Sequence, residues 1–306
     1  TSFGKSAILD ALIATFRWSN IVVIVPTIAL IDEVRRRLVQ FGDSYKLVTH
    51  PTQAVSVRNI YVMTQERYLE LPRSANVDFF MIDEFYKLGS ADAMSEQRTT
   101  LLNIAWNRLH ATGAQYYLAG PNIDSIAETV TPELRDNLYV SDYKTVAVDV
   151  DDRSMVPDDE RLTDLQEVWQ TFDGSSLVFV SAPARAERVA VEISNFATMN
   201  NSSTRLAVRV SSWLAENYHG SWRVVQSLQG GVGLHTGPMP RSLQRMMIRL
   251  FSSGDIPALV CTTTLIEGVN TTAKNVVIYD KRISNKAIDY FTFSNVRGRA
   301  GRMTKH

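Results

Sequence analysis

The sequence contains a single cysteine, Cys261, among 306 residues. One thiol cannot form an intramolecular disulfide or supply a cysteine-rich zinc site, and it suits a reducing cytoplasm. Long apolar runs are also missing, since the longest, such as residues 21–25, fall far short of the ~20 residues that a membrane span needs. No signal peptide pattern opens the sequence. These absences predict a cytoplasmic protein without a membrane partner, or one held at the nucleoid or in the nucleus if it acts on DNA.

The chain as a whole has no excess of either charge, because Lys and Arg together number 32 and Asp and Glu also number 32. That balance excludes a wholesale polycationic binder, so any site for a polyanion must be local. Charge is nevertheless polarised along the chain. Residues 149–164 carry a net charge of −5, typical of a solvated linker, and residues 274–306 carry a net charge of +6.

Short apolar strands alternate with amphipathic helices. The length predicts two domains at ~150 residues each, and 45% apolar residues are enough for two cores. The alternation predicts an α/β fold with two domains, 1–148 and 149–306, each a mostly parallel sheet with helices on both faces. The periodicity predicts helices over residues 6–18, 31–41, 183–199, 206–218 and 242–252, and strands over residues 21–25, 60–63, 77–82, 116–119, 177–180, 258–261 and 276–279.

The first six residues read Thr-Ser-Phe-Gly-Lys-Ser and run directly into an amphipathic helix. They match the second half of the phosphate-loop pattern GxxxxGK[ST], whose first glycine would lie before Thr1. Backbone N–H groups at a helix start bind phosphate oxygens, Lys5 would add a charge for the β- and γ-phosphates, and Ser6 a hydroxyl for Mg²⁺. The predicted nucleotide-binding residues are therefore Thr1, Gly4, Lys5 and Ser6. Taken alone, Gly-Lys-Ser is as often an ordinary turn.

Two adjacent carboxylates, Asp83 and Glu84, follow the predicted strand 77–82. Such a pair at the carboxyl edge of a sheet is costly unless it is used. In a nucleotide site Asp83 would hold Mg²⁺, and Glu84 would orient and deprotonate the attacking water. The alternative is a strand-end turn that is acidic by chance, and the Gly-Lys-Ser sequence upstream favours the functional interpretation.

Arginines and glycines alternate close to the end of the chain, where Arg299 and Arg302 are three residues apart. The rigid guanidinium fork pairs with phosphate oxygens through two parallel hydrogen bonds and stays charged at any relevant pH. We predict that both arginines contact the γ-phosphate when the two domains close. Seen alone, such a run would be a basic surface loop.

These segments and others resemble the motifs of superfamily 2 helicases, in the DExH branch that contains archaeal repair helicases and exosome-associated RNA helicases. The resemblance spans the chain and implies two RecA-like domains, with motifs I to III in residues 1–148 and motifs IV to VI in residues 149–306. The matching segments are residues 1–6 for motif I, 26–30 for motif Ia, 64–67 for motif Ib, 83–86 for motif II, 178–181 with 186–187 for motif IV, 235–237 for the HxG before motif V, 262–270 for motif V and 295–302 for motif VI.

The resemblance implies an ATP hydrolase that couples hydrolysis to movement along a DNA or RNA strand, 3′ to 5′, with ATP and Mg²⁺ as its cofactors. Contacts to strand phosphates read no bases, so binding is expected to be independent of sequence and sensitive to salt. The residues carried over from the motifs are Pro26, Thr27, Thr64, Ser181 and Thr264 for the strand, and Gly268 and Asn270 for the nucleotide.

Some positions depart from the family pattern. Tyr86 replaces the usual histidine, and Ala119-Gly120-Pro121 replaces the Ser-Ala-Thr whose hydroxyls help couple hydrolysis to strand separation. A second hypothesis is therefore a nucleic-acid-binding or scaffold module with weak or uncoupled ATPase activity. A third, an unrelated phosphate-loop kinase, gives no reason for the two arginines.

Two further features carry expectations. Residues 281–288 read as two short extended pieces around a Ser-Asn turn, and the resemblance implies a hairpin there that splits the duplex, although an ordinary connecting loop is the alternative. Trp213, Tyr218 and Trp222 stand on or beside an apolar helix, and their spacing favours core residues over platforms for base stacking. Cys261 lies in a predicted buried strand as a small apolar filler.

Overall fold

A computed structural model describes residues 5–72, 76–89, 96–120, 132–140, 148–197, 204–266, 273–283 and 286–300. The chain divides into two compact units, which we call the N-terminal unit, Phe3–Tyr143, and the C-terminal unit, which contains Lys144–His306. The predicted domain boundary between residues 148 and 149 stays a prediction.

The helices are α1 Lys5–Ala14, α2 Ile28–Leu38, α3 Gln65–Leu69, α4 Glu96–His110, α5 Pro132–Asp136, α6 Arg161–Trp169, α7 Pro183–Ala197, α8 Arg205–Asn217, α9 Arg223–Gln229, α10 Arg241–Ser252, α11 Thr263–Ile266 and α12 Tyr290–Arg297. The strands are β1 Asn20–Ile24, β2 Lys46–Val48, β3 Asn59–Met63, β4 Phe79–Asp83, β5 Gln115–Ala119, β6 Ser176–Phe179, β7 Val232–His235, β8 Ala258–Cys261, β9 Asn275–Ile278, β10 Arg282–Ile283 and β11 Lys286–Ala287. Short 3₁₀ turns cover Val39–Phe41 and Phe85–Leu88.

The N-terminal unit contains a five-stranded sheet in the order β2-β3-β1-β4-β5, with every pair parallel. Strand β1 shows why both faces are covered, because its side chains alternate between two buried clusters. Ile21 and Val23 pack in one cluster with residues of α1 and α2. Val22 and Ile24 pack in the other with residues of α3 and α4. The sheet is therefore a layer between helices, as the continuous apolar run predicts.

The C-terminal unit contains a four-stranded parallel sheet in the order β7-β8-β6-β9. Its larger core cluster combines the sheet with α7, α9 and α10, where Ile193, Leu228 and Met247 are buried. Phe179 points to the other face and packs with Val296 of α12. The predicted α/β class with parallel sheets is confirmed in both units.

Several boundaries differ from those predicted. Helix α1 ends at Ala14, because Phe16 takes a left-handed backbone conformation with φ of 52° that a helix cannot continue. The acidic segment 149–164 is not a linker throughout, because α6 begins at Arg161. Strands β10 and β11 pair antiparallel, so the predicted extended pieces between residues 281 and 288 are confirmed. Within the described ranges, no helix is long and apolar enough to cross a membrane.

The prediction that the aromatic residues on and after α8 belong to the core is wrong for two of the three. Trp213 and Tyr218 are 49% and 48% exposed, whereas Trp222 packs against the core. The reason is the orientation of α8, which buries the face that carries Ala207, Ser211 and Leu214 and turns Trp213 outward. The two exposed rings contact each other edge to face, with centroids 6.1 Å apart.

Candidate functional site

The carboxyl ends of parallel strands lie at one edge of a sheet, and the predicted site residues of the N-terminal unit follow those ends. Strand β1 leads into Pro26 and Thr27, and β3 leads into Thr64. Asp83 is the last residue of β4, where it pairs with Ala119 of β5. The fold therefore brings the predicted strand contacts and the acid pair to the same edge of this sheet.

The acid pair has an unusual backbone. Glu84 has φ of 57° and ψ of 44°, a left-handed conformation that costs a non-glycine residue ~1–2 kcal/mol. Its N–H donates to Oδ1 of Asp83 at 3.1 Å, and both residues are half-buried. A glycine would remove the strain, so glutamate is the costlier residue at this position.

Helix α1 starts close to the Gly-Lys-Ser sequence. It begins at Lys5, its second residue Ser6 is exposed, and its first turn holds no acidic side chain that would neutralise the helix dipole. Amide groups at a helix start favour an anion such as a phosphate, and the hydroxyl and carboxylate oxygens of Ser6 and Asp83 are the hard donors that Mg²⁺ prefers. The residues present therefore fit a nucleotide with magnesium. Thr1, Gly4 and the side chain of Lys5 lie outside the described residues.

The predicted strand contacts of the N-terminal unit have partners within the protein. Thr27 caps α2, with its hydroxyl accepting the N–H of Leu30 at 3.3 Å. Pro26 is buried, has no N–H, and gives its carbonyl oxygen to Arg98, so it offers a phosphate no donor. The contact predicted for this turn therefore depends on Thr27.

Thr64 precedes α3 and is only 5% exposed, and its hydroxyl hydrogen-bonds the carboxylate of Glu66. Burial acts to raise the pKa of Glu66, but hydrogen bonds from Thr64, from its own backbone N–H and from Arg98 outweigh burial and hold the pKa below its ordinary value. The hydroxyl of Thr64 is thus engaged inside the protein. Its contact with a strand stays a prediction.

The C-terminal unit has a similar edge, where Ser181 follows β6. The Ser181 N–H and hydroxyl both donate to Oδ2 of Asp280, each at 2.8 Å. Asp280 is 2% exposed, and its Oδ1 lies 3.2 Å from Nη1 of Arg185 and 3.6 Å from Nη1 of Arg161. Both donors of Ser181 are thereby occupied, so its predicted strand contact stays a prediction that would need one of them released.

Sequence reasoning missed Asp280, although a signal was present. Asp280 follows an apolar run, as Asp83 does, and a lone carboxylate at the end of a buried strand needs a partner. What the sequence does not reveal is that the partners are Arg161 and Arg185, which come from two other segments.

Strand β8 leads into the predicted contact Thr264, which is exposed and whose Oγ1 lies 3.2 Å from Oγ1 of Thr262. Burial lowers the pKa of the neighbouring His235 to about 4, so its ring is neutral at physiological pH. Burial also raises the pKa of Cys261 to about 12, and the positive charge of Arg299 acts in the opposite direction. The carbonyl oxygen of Arg299 accepts the N–H of Ala273 at 3.1 Å, and Ala273 lies two residues before the start of β9.

The remaining predicted residues Gly268, Asn270 and Arg302 lie outside the described residues. Within the C-terminal unit, the structure therefore brings Ser181 and Thr264 to the carboxyl edge of the sheet, whereas the backbone of Arg299 lies beside the amino end of β9.

Two parallel sheets covered by helices, with polar residues collected at their carboxyl edges, define a RecA-like α/β protein. Residues 161–304 match the family model described as "Helicase conserved C-terminal domain". The chain thus carries the C-terminal segment of a superfamily 2 helicase, and the resemblance drawn from the motifs is confirmed. The Gly-Lys-Ser sequence at residues 4–6 lies outside the matched range.

Three relatives agree with this family. The chain is 38% identical over 316 residues to "Anti-bacteriophage protein B" of Escherichia coli strain K12, with 100% of the chain and 43% of that protein covered. It is 26% identical over 265 residues to "ATP-dependent DNA helicase Hel308" of Pyrococcus horikoshii, with 80% of the chain and 36% of the relative covered. An 85-residue stretch, 26% of the chain and 4% of the relative, is 39% identical to "DExH-box ATP-dependent RNA helicase DExH14" of Arabidopsis thaliana. The chain spans less than half the length of each relative.

Proposed function

We propose that this protein is an ATP-dependent helicase or translocase that couples ATP hydrolysis to movement along a DNA or RNA strand without sequence preference. The observation that carries the proposal is the acid pair Asp83-Glu84, held with strained backbone geometry at the carboxyl edge of a fully parallel sheet. The helicase family of residues 161–304 supports it, as do the relatives named as ATP-dependent helicases.

In this proposal the chain's residues divide the work on ATP. Lys5 and the amide groups at the start of α1 bind the phosphates, and Ser6 and Asp83 hold Mg²⁺, which neutralises charge on the phosphate oxygens when it is bound. Glu84 orients a water molecule and takes its proton as the water oxygen bonds to the γ-phosphorus and the bond to the bridging oxygen breaks. Arg299 and Arg302 pair with oxygens of the γ-phosphate. Thr1, Gly4, Gly268 and Asn270 complete the nucleotide contacts.

The strand contacts are proposed at the loops that follow the parallel strands. Thr264 is exposed and Thr27 is half-buried, and Thr64 and Ser181 give their hydroxyl protons to carboxylates within the protein. Hydroxyl and amide donors bind phosphates and position a strand without reading its bases.

The test replaces the proposed base. Glu84→Gln keeps the size and hydrogen-bonding capacity of the side chain but cannot take a proton, so we expect strand-stimulated ATP turnover to fall by a factor of about 10² or more. Binding of a fluorescent ATP analogue should be retained. Glu70→Gln, at an exposed position on the end of α3, is the matched control and should turn over ATP normally. Undiminished turnover by the Glu84 variant would refute the proposal.

A second candidate is a nucleic-acid-binding module with weak or uncoupled ATPase activity. One observation favours it: the residue paired with Asp83 on β5 is Ala119, which has no hydroxyl to link the acid pair to its neighbours. The two functions separate in one experiment. A coupled motor unwinds a forked duplex only with ATP and is stimulated by a single strand, whereas the module binds the strand and shows neither effect.

A further inference from the structure

Arg98 joins two loops that are distant in sequence. Its Nε donates to Oε1 of Glu66 at 3.0 Å, and its Nη2 donates to the carbonyl oxygen of Pro26. Glu66 lies in the first turn of α3, three residues after β3, and Pro26 lies two residues after β1. The guanidinium group therefore lies at the carboxyl edge of the sheet, between the two loops for which strand contacts are proposed.

Arg98 lies on helix α4, which is held to the rest of the N-terminal unit by buried side chains and a hydrogen bond. Helix α4 buries Leu102, Ala105 and Leu109 in the core of the N-terminal unit. The side-chain amide of Asn103 donates to the carbonyl oxygen of Leu88 at 2.9 Å, which ties the same helix to the 3₁₀ turn that follows Glu84. Arg98 thus projects from an anchored helix.

The contacts of Arg98 leave donors unused. A guanidinium group carries five N–H groups, and the bonds to Glu66 and Pro26 use two of them. No other described residue accepts a hydrogen bond from this side chain, which is 45% exposed. Glu66 and Pro26 therefore fix the orientation of the fork and leave part of it open to solvent.

We propose that Arg98 is a strand-binding residue that contacts a backbone phosphate of the nucleic acid beside Thr27. The inference rests on the proposed function, which supplies the strand, and adds a residue that none of the matched motifs contains. Arginine suits the role because its planar fork can hold two protein acceptors and still present donors to a phosphate, which the point charge of lysine cannot do.

The test measures the salt dependence of binding to fluorescent oligothymidylate by the 306-residue chain without nucleotide. Each phosphate neutralised on a single strand contributes about 0.7 to the slope of log K against log salt. We expect Arg98→Gln to bind several-fold more weakly with a slope flatter by about 0.7. Arg98→Lys keeps the charge and should keep the slope, with weaker binding because the fork is lost.

The control is Arg108→Gln, on the same helix. Arg108 donates to the carbonyl oxygens of Leu69, Leu71 and Pro72, so its loss removes at least as many hydrogen bonds. The slope of log K against log salt for Arg108→Gln should equal that of the unsubstituted chain. An unchanged slope in Arg98→Gln, or an equal flattening in the Arg108 variant, would overturn the assignment even if affinity fell. Absence of any strand binding by the unsubstituted chain would overturn the proposed function, and the role of Arg98 with it.

Discussion

Glu84 allows the strain at the acid pair to be measured. At φ of 57° an alanine retains the left-handed penalty of ~1–2 kcal/mol, whereas a glycine does not. We therefore expect Glu84→Gly to be more stable than Glu84→Ala by about 1 kcal/mol in denaturant unfolding, although neither variant should hydrolyse ATP.

Glu70 provides the control for that comparison, because its φ of −76° and ψ of −16° are ordinary helical values. There the order should reverse, with the glycine variant less stable than the alanine variant by about 0.5–1 kcal/mol. The same order at both positions would show that Glu84 is not strained.

Because His235 is buried, we expect the free energy of unfolding to fall in acid. Burial lowers its pKa from 6.5 to about 4, so between these values the unfolded chain binds more protons than the folded one. Stability is fully present above pH 6.5 and falls as the pH drops towards 4, by up to about 3 kcal/mol from this residue. The free energy of unfolding of His235→Leu, measured across this range, should fall less steeply than that of the unsubstituted chain. Parallel pH profiles would contradict the expectation.

The carboxylate of Asp280 connects α6, the start of α7 and the end of β9. Removing it leaves Arg161, only 10% exposed, and Arg185 without their buried counter-charge. We expect Asp280→Ala to lose about 3–5 kcal/mol of unfolding free energy, whereas Ser181→Ala should lose about 1 kcal/mol. The double variant should lose less than the sum, because both substitutions remove the same hydrogen bonds. Additive losses would argue against the network.

The hairpin of β10 and β11 can be shortened without disturbing its base. Ile283 and Ile288 pack in the cluster around Phe179, and Ile288 donates its N–H to the carbonyl of Lys281 at 3.0 Å, so these residues stay. Replacing residues 284–287 with a Gly-Ser turn should abolish unwinding of a forked duplex and leave strand-stimulated ATPase intact. The same turn in place of residues 219–221, an exposed loop, is the control. Undiminished unwinding by the hairpin variant would end the hypothesis that it separates strands.

Across the chain, the buried parallel strands were the most predictable part. Strand β8 occupies the predicted residues 258–261, because a strand covered on both faces shows an uninterrupted apolar run. Strand β7 was missed since it contains Gly233, a residue unfavourable in strands. The structure explains that glycine: a Cβ atom there would lie 2.5 Å from Cδ1 of Ile256. Helix α4 was missed because its sequence is largely polar in its first half.

The edges at which site residues gather could also be predicted, since Thr27, Asp83 and Ser181 all follow apolar strands. Whether their hydroxyl and amide groups are already hydrogen-bonded within the protein could not be predicted. Ser181 and Asp280 are 99 positions apart, and Arg98 lies 72 positions from Pro26. No local pattern encodes such pairs, because they depend on how strands and helices pack in three dimensions.

The burial of Cys261 has a practical consequence for observing the motion that the proposed motor requires. Thiolates are the species that react with maleimides, and a fully buried thiol with a pKa of about 12 forms almost none at neutral pH. Cysteines introduced at Val57 and Met155, which are 87% and 91% exposed and belong to different units, should therefore accept a dye pair while the native residue stays unmodified. Energy transfer between the dyes would then report interdomain distance through each catalytic cycle in an otherwise unaltered chain.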